Sequence, residues 1–390
     1  MHFSAKLACA SMAVLLAGCS SFTMPSFSLP TSWNPFADKP KFPPVPLITF
    51  KETMAVSKAW TVSIGSSGAY TFSPAYAKDS VYAASADGAV VRLDAATGKQ
   101  VWRRDAGRLS GGVGTDGDTV AVAADNGEVI AYDSEGKLRW KMQTSSEVLS
   151  APAVGEGLVV VRSVDNRIIA LDALNGARKW ATQRPAPTLT LRNAPGIVIA
   201  NQTAYVAMPG GKLLALAMNN GGLRWEATVG ESRGATELER LVDTSGNPVL
   251  IGGEVCAASY HGRAGCFVAA TGAPRWLKDL SSDAGIAADE RFAFAADENG
   301  AVNAFVRETG ASAWRSDKLA YRRLSTPASF GRAVAVGDYQ GYIHFLSRED
   351  GAMLARVTTD GSPIRSVPLV TGKHLIFQTQ AGSLVALAAE

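Results

Sequence analysis

Histidine and cysteine are scarce in this 390-residue chain, four of each. His2 and Cys9 fall in the first ten residues, so His261, His344 and His374 are left, far apart in sequence. That scarcity argues against a histidine-based metal centre or a Ser-His-Asp triad, which need such groups brought together. There is no C-x-x-C pair and no C-x-x-C-H haem attachment. Charge of one sign is also lacking: 38 Lys and Arg face 35 Asp and Glu, for a net +3, with no basic stripe. Nucleic acid is therefore not expected as a partner. Phosphate-cradling motifs, G-x-x-x-x-G-K-[ST] or a strand–G-x-G-x-x-G–helix unit, are absent. From Phe50 onward no 3.6-residue periodicity is sustained, which speaks against a helical body.

What fills the chain instead is one sentence, repeated. Ser85–Trp102, SADGAVVRLDAATGKQVW, reads as strand, Asp-Gly hairpin, strand, Thr-Gly turn and a strand bearing a Trp. Glycine accepts the positive φ that a two-residue hairpin wants, and Val90, Val91 and Leu93 are strand-forming residues. Copies end at Trp140, Trp180, Trp225, Trp276 and Trp314, and one at Ala355 has lost its Trp. The last copy, Thr379–Leu387, stops before any Trp, while Trp60 stands near the start with no hairpin ahead of it. Joined, the two halves complete an eighth unit. A ring whose ends share a blade leaves no raw strand edge, whereas an open solenoid would show polar caps. With units about 40 residues long, the expectation is all-β: an eight-bladed β-propeller of four-stranded antiparallel blades, closed by the N- and C-terminal strands. Ile64–Tyr76, Thr119–Ala124, Leu158–Arg162 and Ala333–Val336 are expected as strands between the motif units.

The start reads differently. Residues 1–18 form a signal peptide, with Lys6 as its charge and Leu7–Leu16 as an apolar run too short to cross a bilayer. Leu16-Ala17-Gly18-Cys19 resembles a bacterial lipobox, which implies acylation of Cys19 and anchoring in a membrane. Ser20 after the Cys implies, by the same resemblance, sorting to the outer membrane. Residues 19–49 are the tether: seven prolines between Phe22 and Pro46 forbid a helix and favour extended chain. Residues 50–390 are the propeller.

Residues that recur once per unit read as structure. The Trp residues are expected to pack between blades, each N–H needing an acceptor. Asp87, Asp125, Asp165, Asp297 and Asp338 share one hairpin position, and Asp94, Asp133 and Asp172 another, where a carboxylate collects backbone amides. Cys256 and Cys266 flank the Tyr260–Arg263 turn on the two strands of one hairpin. In an oxidising periplasm they can form a structural disulfide, if the register sets them opposite each other.

The informative departures are two insertions, around Gln183–Asn193 and Gly230–Pro248. Each follows a Trp-bearing strand in successive blades, so both are expected on one face of the ring, where propellers place recognition. Leu189, Leu191 and Arg192 have the profile of an interface anchor; the alternative is a loop folded back on its own blade.

The repeat resembles that of pyrroloquinoline quinone (PQQ) enzymes. It also resembles BamB, the lipoprotein B component of the outer-membrane β-barrel assembly machinery. The lipobox, the tether and the segments PTLTLRN (187–193), ELERLVD (237–243) and VGDYQGYIH (336–344) favour the second family. That resemblance implies a non-enzymatic scaffold without cofactor. It would dock on the core barrel-assembly protein through that protein's POTRA domains, reach the other lipoproteins of the complex indirectly, and assist outer-membrane proteins in folding and insertion. It could also receive unfolded client strands by edge pairing. Leu189, Leu191 and Arg192, with an acidic loop at Asp243, are the contact residues it implies. Ser245 stands where the family can carry a second acid. The competing classes are a PQQ-dependent dehydrogenase, which needs Ca²⁺, an unpaired Asp and in many members adjacent cysteines, and an adaptor for another envelope complex.

Overall fold

The structure, a computed structural model, describes residues 42–185, 187–191 and 195–389. The signal segment, Cys19, most of the tether and Arg192 lie outside them. The described residues hold no helix, and 32 strands, numbered in chain order, form eight antiparallel sheets of four. Blade 1 runs from β2 (Ala75–Ala77) to β5 (Gln100–Asp105), and blade 2 from β6 (Gly114–Thr115) to β9 (Leu138–Gln143). Blade 3 runs from β10 (Ala153–Gly155) to β13 (Arg178–Gln183), and blade 4 from β14 (Ile197–Ala200) to β17 (Leu223–Thr228). Blade 5 spans β18 (Asp243–Ile251) to β21 (Pro274–Asp279), and blade 6 spans β22 (Ile286–Ala288) to β25 (Ser312–Ser316). Blade 7 spans β26 (Ala328–Phe330) to β29 (Met353–Thr358). Blade 8 joins the chain ends in the order β30 (Leu369–Val370), β31 (Leu375–Gln378), β32 (Ser383–Ala389), β1 (Val56–Ser63), with Trp60 opposite Ala386. The eight-bladed ring and its shared closing blade are those the repeats predict.

Burial follows position within a blade. The second strand of each sheet is covered by a neighbouring blade on both faces, so Ser80–Ala84 and Thr119–Ala123 are buried at every residue. Such strands read as apolar runs without alternation. An outermost strand that carries a Trp buries little besides it, as in β5, where Trp102 alone is buried; β29 of blade 7, without a Trp, buries Met353, Leu354 and Ala355 instead.

That Trp is the joint between blades. Its Nε1 donates across to a main-chain carbonyl in the turn before the outermost strand of the next blade. Trp60 reaches Ala95 at 3.1 Å, Trp102 Ser134 at 2.8 Å, Trp140 Ala173 at 3.0 Å and Trp225 Ala269 at 2.9 Å. Trp180, Trp276 and Trp314 make the same bond to Met218, Arg307 and Arg348. Beneath each ring lies the glycine of that turn. At Gly221 a Cβ would fall 2.5 Å from the Trp180 ring, and φ is +70°. The turn therefore needs glycine both for its backbone and for the space. The recurrent acids fold two kinds of turn: Asp133, in the turn before an outermost strand, accepts the amides of Glu135 and Lys137, and Asp297, in the hairpin between the second and third strands of blade 6, those of Asn299 and Ala301.

One expectation needs correcting. Of Ile64–Tyr76 only Ala75 and Tyr76 lie in a strand, β2. Gly65 and Gly68 take positive φ and Pro74 has no amide to give, so the segment crosses to the ring centre as a loop. Ahead of β1, the chain lies along β29 of blade 7. The amide of Thr53 donates to Leu354 O at 2.9 Å, that of Arg356 to Glu52 at 3.1 Å, and the amide of Val45 reaches Ala320 O at 3.1 Å. Met54, 4% exposed, is buried with Leu354, Ala355 and Leu387.

Candidate docking surface

Both insertions connect the outermost strand of one blade to the innermost strand of the next, so they emerge on the same face. The first joins β13 to β14. The second leaves β17 and runs into β18. Asp243, which the family resemblance implies is part of an acidic loop, is instead the first residue of strand β18, opposite Tyr260, and Ser245 is buried in the same strand opposite Ala258. The longer insertion is thus partly sheet.

Asp243 is 3% exposed, and its carboxylate is occupied from two sides. Oδ2 accepts the amide of Leu191, and Oδ1 accepts that of Gly210 at 2.9 Å. Gly210 belongs to the hairpin turn of blade 4, and Pro209 forms an isolated bridge with Asp243. The two insertions therefore meet at this side chain, as expected of loops sharing a face. Burial pushes the Asp243 carboxyl up, while the two amides and the charge of Arg162 act against that. Arg162 is itself pushed down to about 10 by its burial, with Asp243 opposing. The two charges favour each other less than water would favour each. With Leu191, Pro195, Pro209 and Thr244 they line one small cavity.

Leu189 is 44% exposed and Leu191 half-buried, so of the loop's two leucines one faces outward and the other lies at Asp243. Asn193 of the same segment, like Arg192, is outside the described residues. The second insertion presents Leu238, 72% exposed, on a stiff turn. There the amide of Glu239 donates to Thr236 Oγ1 at 3.2 Å, and the amides of Ala235 and Thr236 return to Glu239 Oε2 at 2.8 and 3.1 Å, a reciprocal capping box.

Arg162 and Leu238 escaped the sequence reading, but Arg162 left a signal. It pairs with Ile168 at a register position that six other blades fill with Ala84, Ala123, Ala207, Ala258, Ala296 and Gly337. An arginine in a slot for a small residue marks a local purpose. Cys256 and Cys266 are register partners with Cα atoms 4.0 Å apart, and a disulfide joins them, wholly buried. At the ring centre a cavity of about 440 Å³ is lined by Tyr70, Ser73, Ser150, Asn247, Asp283 and Arg365 among others. One carboxylate and one guanidinium, without adjacent cysteines, do not make the donor set of a calcium-bound quinone.

The model of the family described as outer membrane protein assembly factor BamB matches residues 57–107, 86–316 and 299–390. The chain belongs to the BamB family. The BamB of Bordetella pertussis is 44% identical over 376 residues, covering 96% of this chain and 94% of that one. The BamB of Burkholderia pseudomallei is 41% identical over 385 residues, with 98% and 97% covered. The crystal structure of BamB from Moraxella catarrhalis superposes with a TM-score of 0.79 at 26% identity, over 86% of this chain and 100% of that one. A quinohemoprotein alcohol dehydrogenase from Comamonas testosteroni, at 13% identity and a TM-score of 0.65 over 85% of this chain and 76% of that one, shares the fold alone.

Proposed function

We propose that this chain is a non-catalytic assembly factor of the outer-membrane β-barrel assembly machinery. Acylated at Cys19, it is held at the outer membrane by its 19–49 tether, with the propeller in the periplasm. It docks on the core barrel-assembly protein, through the POTRA domains of that protein, by Leu189, Leu191 and Arg192, with Asp243 behind Leu191. Other lipoproteins of the machinery are reached through that core protein, and outer-membrane clients are helped to fold and insert.

The observation that carries the docking half is Leu189: a half-exposed leucine on a loop whose next turn is fastened to a buried carboxylate. Exposed apolar residues on fixed loops are what interfaces use as anchors, since little order remains to be lost on binding. Near-full-length kinship to proteins named as assembly factors supports the other half. The test is recovery of the core barrel protein with the tethered chain from detergent-solubilised membranes. A Leu189→Ala, Leu191→Ala, Arg192→Ala triple variant should lose at least about tenfold in recovery, as truncated interface anchors do. Undiminished recovery at equal propeller yield would move the docking surface elsewhere.

A further inference from the structure

We propose that Asp243 is a positioning residue: from inside the ring it fastens the loop carrying Leu189 and Leu191 to the start of blade 5, and it does not itself touch the partner. This deepens the docking reading above and, for its second half, rests on it.

The placement of the carboxylate carries the argument. A contact residue has to offer surface, and Asp243 is 3% exposed with each oxygen already receiving a main-chain amide. Those amides come from different parts of the chain, Leu191 from the first insertion and Gly210 from the blade 4 hairpin turn. Asp243 itself belongs to the second insertion where that becomes sheet. One side chain thus ties three segments from neighbouring blades. Two features show that the arrangement serves more than local folding. No other described inner strand opens on a buried acid, since β2, β6, β10, β14, β22, β26 and β30 open on Ala75, Gly114, Ala153, Ile197, Ile286, Ala328 and Leu369. And blade 3 sends Arg162 to the same cavity in place of the alanine or glycine of six other blades. A buried carboxylate with a buried guanidinium nearby is poor stability. What it supplies is geometry, because bonds from amides to a charged acceptor are short, directional and roughly twice as strong as neutral ones. Leu189 is then presented in one conformation, and a partner need not order it.

Hydrogen exchange on the full chain in detergent, without partner, tests the fastening. In Asp243→Ala the amides of Leu191 and Gly210 should both exchange about tenfold faster or more, having lost one shared charged acceptor. Val206 and Leu214, paired in the blade 4 core, should keep their protection. Asp243→Asn, which keeps the shape and one acceptor oxygen, should restore one of the two amides and serves if the alanine variant does not fold. Recovery of the core barrel protein should fall in Asp243→Asn together with the faster exchange, and in Leu189→Ala without it. Unchanged exchange at both amides in Asp243→Asn overturns the proposal, whether or not recovery falls; if recovery falls alone, Asp243 is a contact residue. Faster exchange with full recovery overturns the positioning role. If the triple variant above keeps its partner, the docking reading fails while the exchange result still decides the fastening.

Discussion

His344 has no exposed surface, and both its ring nitrogens are engaged. Arg356 Nε donates to Nδ1 at 3.3 Å, which leaves the ring proton on Nε2, directed at Asp338 Oδ2 2.9 Å away. Arg322, also buried, donates Nε to the same Oδ2 at 2.7 Å, while Asp338 Oδ1 accepts the amides of Gln340 and Tyr342. Burial, first, and the flanking Arg356 and Arg322 push His344 below 6.5, although Asp338 pulls the other way. Burial would raise Asp338, but its bonds to His344, Tyr342 and Arg322 bring it below 3.8. The signs follow from linkage. Below pH 6.5 the unfolded chain takes up a proton that the folded ring refuses, so stability falls until the pH reaches the folded pKa of His344. The Asp338 contribution is lost only as pH falls below 3.8. Asp243, pushed up, adds stability as pH falls through its folded pKa towards 3.8. Between pH 7.5 and 5.5 His344 is therefore expected to cost the fold up to about 1.4 kcal/mol, one proton's linkage over one pH unit. Urea midpoints should show a smaller fall for His344→Gln than for wild type, and parallel curves would exclude this source. At this scale the sequence was half legible. Asp338 is a turn acid, as expected, but only Asp297 shares its register position; Asp125 stands one residue further along its hairpin, and Asp87 and Asp165 two. The second role of Asp338 was hidden, because Arg322 and His344 have no counterparts in register and meet it only through the fold. Arg162 and Asp243, 81 positions apart, were hidden in the same way.

At the scale of the element, the unit that repeats is a joint as much as a blade: a Trp on one outer strand, a glycine and a carbonyl in the next blade's turn. Both halves of the joint lie in the same 18-residue motif, which is why the fold could be read by counting. A Trp has a slot only if the neighbour's turn is glycine-floored. Trp180→Ala removes a ring 7% exposed together with its bond to Met218 O, leaving a void above Gly221. The expected cost is about 3–5 kcal/mol by denaturant titration, the range for emptying a large aromatic site. A loss under about 1 kcal/mol would mean that blades 3 and 4 collapse onto each other and that the ring does not depend on this joint. Elements outside the motif were less legible. Ile64–Tyr76 has strand-forming residues at its ends, but Gly65, Gly68 and Pro74 break it. The second insertion looked like loop because Gly246 and Pro248 interrupt it, whereas β18 absorbs them in a register shift between Ser245 and Val249. Its neighbour was placed correctly, since insertions after equivalent strands of adjacent blades have nowhere else to emerge.

Over the whole molecule, the one missing Trp and the shared closing blade explain each other. The outer strand of blade 7 faces the edge where β32 lies beside β1, and these two strands are not consecutive in the chain, so no Thr-Gly-type turn joins them. A Trp at Ala355 would have neither glycine floor nor turn carbonyl. The place is taken by the segment ahead of β1, which follows β29 through Thr53 and Glu52 and buries Met54 against Ala355 and Leu387. Arg356, the residue that holds His344, also donates to Ile48 O at 3.2 Å and lies over Phe50, so the buried ionic cluster and this segment are one assembly. Ring closure thus rests on two things: the pairing of β1 with β32, and a side chain standing in for the absent joint. Met54→Ala should cost about 2–4 kcal/mol, as for a buried methionine emptied to alanine, and Met54→Leu less than about 1.5 kcal/mol. Ala355→Trp should also destabilise, by about 1–3 kcal/mol, because the slot is occupied. Urea titration measures all three. If Ala355→Trp stabilised the chain, or Met54→Ala left the midpoint unmoved, the segment ahead of β1 would be a bystander and the blade 7–blade 8 seam would close by sheet pairing alone.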